Sequence, residues 1–261
     1  MTQLKKIALL LLIGLPFNSF SQAGISHELG VIAGRIEFRS DYGLRNDTET
    51  NLNNMGFGIT FVDYMSFSYT DFVNDYFAEH FKVRNELSYS KTDLKHYGKW
   101  VEKNTIGSKQ LKAMRGSTQV VNLGFQLEYS FIHIHDFERT IGSFAPYIAI
   151  GPQIGYYTAT ATSELGELGN TATTNPKYLV PSDGHPYGFS NESKMVFSGV
   201  LNIGTRYKLT PMSDLVFDMR AQYFNSDWVD GLNPNAELFK ENKNNDWLTF
   251  IGVGYIFYLD N

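Results

Sequence analysis

The sequence predicts an all-β fold, an eight-stranded antiparallel up-and-down transmembrane β-barrel with short turns at one rim and long loops at the other. Three observations predict it. The chain alternates apolar and polar residues with a period of two over segments long enough to cross a bilayer at a tilt. The connections between those segments alternate long and short along the whole chain. The first residues read as an export signal. The stretch Val120–Phe131 is the clearest case: Val121, Leu123, Phe125, Leu127, Tyr129 and Phe131 are apolar or aromatic, whereas Asn122, Gly124, Gln126, Glu128 and Ser130 are polar or small.

Composition agrees with export and with β structure. Lys5 and Lys6 precede a short apolar run, Ile7 to Leu15, and Ser19-Phe20-Ser21 supplies a small-x-small cleavage pattern. We therefore expect a signal peptide over 1–21 and a single barrel domain over 22–261. The apolar run is shorter than the roughly 18–20 residues of a spanning helix. Without the two signal lysines the chain has 20 basic against 27 acidic residues, a balance that excludes a general nucleic-acid binder. It has no cysteine, hence no disulfide or thiolate chemistry. Aromatic residues make up 15% and Gly occurs 23 times, which suits either a soluble β protein or a membrane barrel.

The eight segments follow in order. Strand one, Gly24 to Arg39, changes phase: Ile25, Leu29, Val31 and Ala33 share one parity, Ile36 and Phe38 the other. A β-bulge at Ala33-Gly34-Arg35 is expected to absorb the slip. Strand two, Phe57 to Tyr69, is interrupted on its apolar face by Asp63, through a bulge or a membrane boundary. Strand three, His80 to Thr92, sets Phe81, Val83, Leu87 and Tyr89 against Lys82, Arg84, Glu86 and Ser88. A polar loop from Asp93 to Ser117 leads to strand four. Strand five runs from Pro146 to Tyr157 after a shorter turn. A loop from Thr162 to Ser193 follows. Strand six covers Met195 to Leu209, Pro211 turns it into strand seven around Leu215 to Tyr223, and strand eight covers Trp247 to Leu259.

Greek-key sandwiches do not require such a rhythm of connections, whereas an outer-membrane barrel does. A soluble lipocalin-like barrel would turn the apolar face inward around a ligand. Two features favour the reverse. The polar face is rich in Gly and Ser and mixes charges of both signs, Lys82, Arg84, Glu86, Glu128, Arg206, Asp218 and Arg220. The apolar face ends in Tyr69, Tyr89, Tyr129, Tyr156, Tyr207, Tyr223 and Trp247, where interfacial girdles would lie. Arg206 is expected to face Asp218 across the Pro211 hairpin, and Glu128 to meet Arg84. An interior of eight strands is just wide enough to be filled by side chains, so these charges read as a rigid plug rather than a pore.

With this signal, strand count and loop rhythm, the chain resembles small bacterial outer-membrane barrels of the OmpA and OmpX type. Its last strand, Gly252-Val-Gly254-Tyr-Ile-Phe257-Tyr-Leu259, resembles the assembly signal of that class, with Gly254, Phe257 and Leu259 at the signal positions. It departs in Gly252, where a polar residue is usual, and in the Asp260-Asn261 tail. The resemblance implies location in the outer membrane and contact with its lipid and lipopolysaccharide; it specifies no activity.

Candidate chemistry is sparse. His133-Ile-His135-Asp136 puts two imidazoles beside a carboxylate, a Zn²⁺ or Cu²⁺ pattern that lacks a third nearby His, so it reads as a periplasmic turn. No Gly-x-Ser-x-Gly elbow occurs. No cofactor, metal or catalytic residue is assigned. The second loop is cationic: Lys95, Lys99, Lys103, Lys109, Lys112 and Arg115, with Lys91, outnumber Asp93 and Glu102. An external cluster of this kind would meet lipopolysaccharide phosphate. The fourth loop is acidic, with Asp227, Asp230, Glu237, Glu241 and Asp246. The expectation is a monomeric, non-enzymatic barrel with a structural or surface-interaction role, including docking to a larger envelope assembly or secretion machine. A lipid-modifying hydrolase or acyltransferase barrel is the alternative.

Overall fold

The computed structural model describes residues 25–42, 52–67, 74–240, 242 and 244–259; the expected signal peptide and Tyr69 lie outside them. Eight strands form the barrel: β1 (Ile25–Arg39), β2 (Met55–Phe67), β3 (Phe81–Lys95), β4 (Met114–Ser130), β5 (Phe144–Ser163), β6 (Ser193–Thr210), β7 (Ser213–Phe224) and β8 (Trp247–Tyr258). Each pairs antiparallel with its neighbour in sequence, and β1 also pairs with β8, so the sheet closes without an edge. Short helices lie at the ends, among them α1 (Asp75–His80), α2 (Ile106–Ala113) and α3 (Ile134–Arg139). The start of β1, the end of β8, α1, α3 and the turn at 211–212 share one rim. The long loops share the other. In an outer membrane the first rim is periplasmic and the second external.

The outward face is apolar and bare. Phe61, Leu123, Phe125, Ile150, Phe197, Ile203 and Val253 are all exposed on it. An apolar band continuous around the molecule is far larger than a soluble monomer tolerates. This overturns the lipocalin-like orientation and makes the fold a transmembrane barrel. Aromatic pairs mark both edges of the band: Phe57–Tyr89 and Tyr223–Trp247 towards the external side, Phe81–Tyr129 and Phe144–Tyr207 towards the periplasmic side.

The bulge expected at Ala33-Gly34-Arg35 is absent. β1 pairs residue for residue with β2 from Ile25↔Phe67 to Glu37↔Met55, and with β8 from Glu28↔Tyr258 to Arg39↔Trp247. The phase change has another cause: Ile32, Ile36 and Phe38 point into the barrel, while Arg35 points out. β1 thus switches from polar-inside to apolar-inside as it rises. Asp63 also lies in an unbroken register. It faces outward and is satisfied there by His27 Nδ1 at 2.8 Å and by Asn85 Nδ2, which donates to it at 3.2 Å.

Several strands outrun their expected ends. The β3–β4 ladder continues through Thr92↔Thr118 to Lys95↔Arg115, leaving 96–113 as the loop instead of Asp93 to Ser117. β5 reaches Ser163. Above the apolar band, inward residues such as Leu94 and Met114 are apolar and outward ones are polar. The alternation continues there with its sense reversed.

Candidate functional site: charged lumen and external crown

The periplasmic half of the lumen holds ten buried charges, five cations and five carboxylates, among the described residues. Strand alternation points them inward, and the closed sheet brings distant strands face to face. Arg84 on β3 donates through Nη1 to Asp218 on β7 and through Nε to Glu86, both at 2.6 Å. Arg206 on β6 donates to Glu28 on β1 at 2.6 Å and to Glu128 on β4 at 2.8 Å. Its guanidinium also stacks 4.0 Å from the Tyr64 ring centroid. Arg220 donates to Glu86 at 2.6 Å and to Asn202 at 3.1 Å. Lys82 donates to Glu28 and, at 3.4 Å, to Glu138 of α3. Lys208 lies 3.2 Å from Asp214 and above the Tyr258 ring. Buried charge on this scale persists only when paired and hydrogen-bonded, and every one of these groups has an opposite partner.

The expected residues Arg84, Glu86, Glu128, Arg206, Asp218 and Arg220 all lie in this network. Their pairing differs. Arg206 stands beside Val216 and Asp218 beside Gly204, because β6 and β7 meet through a two-residue turn with a register shift between Lys208 and Thr210. Their partners reach across the lumen instead. Glu128 does approach Arg84, at 3.9 Å. Glu28, Lys208 and Asp214, with the buried Tyr64 and Tyr147, were not singled out from the sequence. Reading β1 as one continuous strand would have put Glu28 on the lumen side with Ile32 and Ile36. Tyr147 also donates to Asp218, at 2.6 Å. A cavity of about 10 Å³ lies beside Lys82, Glu128, Tyr147 and Arg206, and Ile134 and Phe137 of α3 close it from below. That is room for about one water.

The external half of the lumen is a hydrophobic core. Phe38, Tyr42, Leu94, Tyr157 and Phe224 meet Tyr178 from the third loop and Trp228, Val229 and Leu232 from the fourth. The fourth loop is tied down by its own acids. Asp230 accepts from the Asp41 and Leu232 amides at 2.8 and 2.7 Å, and Asp246 accepts from the Asp230 amide at 3.1 Å. Asp230 and Asp246, two of the acids that make the fourth loop acidic, are fully buried. Glu241 lies outside the described residues. His96 packs between Tyr42 and Tyr178, with ring centroids 4.8 and 6.0 Å away. Burial, reinforced by Lys177 and Arg115, pushes its imidazole down to about 3.

The cationic loop stands outside this cap. Lys95, Lys99, Lys103, Lys109 and Lys112 are exposed. Arg115 departs from the set: it is half-buried and donates to Glu164 at 2.6 Å. Lys99 and Lys103 flank the exposed Trp100 ring, 5.5 and 4.2 Å from its centroid. α2 is capped by Thr105, whose hydroxyl oxygen accepts from the Ser108 amide at 3.2 Å, and presents Ile106, Lys109 and Lys112 to solvent. In the third loop, His185 Nε2 meets Glu192 at 3.2 Å while Nδ1 faces the Asp183 carbonyl at 3.2 Å. Both nitrogens thus face acceptors rather than a Ser hydroxyl. At the barrel seam, Phe257 points outward, Gly254 lies against the β1 backbone at Val31, and the Leu259 amide donates to the His27 carbonyl at 3.0 Å.

No protein-family model matches this chain, and no curated protein matches it. Solved structures do. The chain is similar to a major outer membrane protein from Thermus thermophilus, at 13% identity over 90% of this chain and 99% of that one, with a TM-score of 0.47. It is similar to Neisserial surface protein A at 12% identity over 90% and 98%, TM-score 0.43. The outer membrane enzyme PagL matches at 10% identity over 88% and 98%, TM-score 0.38.

Proposed function

We propose that this chain is an integral outer-membrane barrel without a catalytic role. Its lumen is a sealed structural plug, and its external crown makes the surface contacts. The filled lumen carries this reading: five cations and five carboxylates pair within it, and the cavity beside Lys82, Glu128, Tyr147 and Arg206 is about 10 Å³. Paired charges packed this closely oppose the passage of a hydrated ion. The barrel therefore supports the crown rather than conducting.

On the crown, the exposed Trp100 between Lys99 and Lys103, with Lys95, Lys109 and Lys112 nearby, suits phosphate-bearing glycolipid at the outer surface. An indole inserts at headgroup level while ammonium groups meet phosphate. Planar-bilayer recording of the purified barrel tests the plug, with the expected result a baseline without resolved steps. Reproducible unitary conductance would sink it. For the crown, Lys99→Glu/Lys103→Glu is expected to reduce retention of diphosphorylated lipid A by several-fold and of a dephosphorylated form by little. Equal retention of both lipids by the parent barrel would remove the phosphate contact.

A further inference from the structure

The periplasmic rim brings together side chains from two connections far apart in sequence. Glu79 and His80 close α1, on the β2–β3 connection. His133 immediately precedes α3, on the β4–β5 connection. One ligand atom from each lies within 4.8 Å of the other two. The His80 and His133 rings meet edge-on, centroids 4.9 Å apart, and His80 stacks on Tyr129 at 5.5 Å.

Hydrogen bonds orient both imidazoles. His80 Nδ1 lies 2.8 Å from the Ser130 carbonyl oxygen. A carbonyl only accepts, so Nδ1 carries the proton and Nε2 presents its lone pair. His133 Nδ1 faces Asp136 Oδ2 at 3.2 Å, which likewise leaves Nε2 as the donor atom. That Nε2 already stands 3.7 Å from Glu79 Oε2. An acceptor behind Nδ1 and a free Nε2 is the arrangement by which outer contacts orient metal-binding histidines. Metal–ligand bonds of about 2.0–2.2 Å in a tetrahedron place ligand atoms about 3.4 Å apart. The exposed His133 and the partly exposed Glu79 side chains can rotate from the present spacing, within 4.8 Å, towards that geometry.

We propose that Glu79, His80 and His133 form a periplasmic site for a divalent transition ion of the zinc class, with one coordination position left open. Two imidazoles and one carboxylate select Zn²⁺, Cu²⁺ or Ni²⁺ over Mg²⁺ and Ca²⁺, which take oxygen shells. Bound there, the ion staples two neighbouring turns together beneath the charged lumen. The neighbour pair suggested by sequence spacing is not the site. α3 turns His135 away from His133, and its Nδ1 faces Glu138 at 3.7 Å.

The test is calorimetric titration of tag-free, chelator-treated barrel in detergent micelles with ZnCl₂ alone. Each preparation is first checked for the heat-modifiable gel migration of a closed barrel. The expected result is one ion per barrel, with affinity reduced at least tenfold in both His133→Gln and Glu79→Gln and unchanged in His135→Gln. Millimolar Mg²⁺ is expected not to compete. His80→Gln alters a buried ring, so the two more exposed variants carry the test. Absence of saturable Zn²⁺ binding, or equal affinity in folded His133→Gln and Glu79→Gln and in the parent, would overturn the site. So would loss of binding in His135→Gln as large as in His133→Gln.

Discussion

At the outer end of β3, His96 is buried between two tyrosine rings and held neutral, its imidazole near 3 against an ordinary 6.5. Between those two values the unfolded residue holds a proton that the folded one lacks. Stability contributed by this group is therefore full above pH 6.5 and drains as pH falls towards 3. At pH 5 the loss is about 2 kcal/mol. The crown is thus expected to loosen on mild acidification, with protease cleavage of the 164–192 loop rising roughly tenfold or more between pH 7.5 and pH 5. His96→Phe, which keeps a ring but no titrating nitrogen, is expected to show less than a twofold rise. A variant as acid-sensitive as the parent would place the effect elsewhere. The sequence marked His96 only as part of a polar loop, because its burial depends on Tyr178, which arrives from a different loop.

On the scale of elements, a bulky interior side chain can rest on a glycine of its own strand, as the Phe250 ring does on Gly252 in β8. A Cβ on Gly252 would press into the Phe250 ring and lie 2.9 Å from the Ala33 carbonyl oxygen. Gly252→Ala is expected to cost about 1–3 kcal/mol through overpacking, read as a lower urea midpoint with unchanged m in micelles. In a Phe250→Leu background the penalty should shrink. An undiminished penalty would mean that the ring is not the obstacle. Strand identity was readable because period-two alternation survives wherever hydrocarbon meets one face. Strand ends and phase were not. In β1 the parity change at Ile32, Ile36 and Phe38 looks like an inserted residue. It marks instead the height at which the outward side leaves lipid for water and the inward side becomes an ordinary core. A period-two pattern reports which face is apolar and not which solvent lies outside, so the inversion is ambiguous from one strand alone. The same ambiguity hid the upper ends of β3, β4 and β5.

For the whole molecule, the bilayer sets the cost of a charge by depth. Phe125 is 60% exposed between the outward-facing Leu123 and Leu127. Phe125→Arg is expected to cost about 2–4 kcal/mol near the bilayer midplane. Ser117→Arg, on the same face of β4 but beyond the apolar band, should cost close to nothing. Equal penalties in reversible unfolding from lipid vesicles would contradict this placement. The six lumen residues named from sequence are buried in the lumen, on the polar parity of their strands. The partners that were illegible sit on strands brought together only by closure: Arg84 with Asp218, Arg206 with Glu28. That cross-lumen pairing has a consequence for how the cylinder shuts. A one-residue slip at the β1–β8 seam would turn Glu28 towards lipid and leave Lys82 and Arg206 facing each other without it. An electrostatic lock therefore proofreads the register, so that only the correctly aligned seam neutralises its own interior.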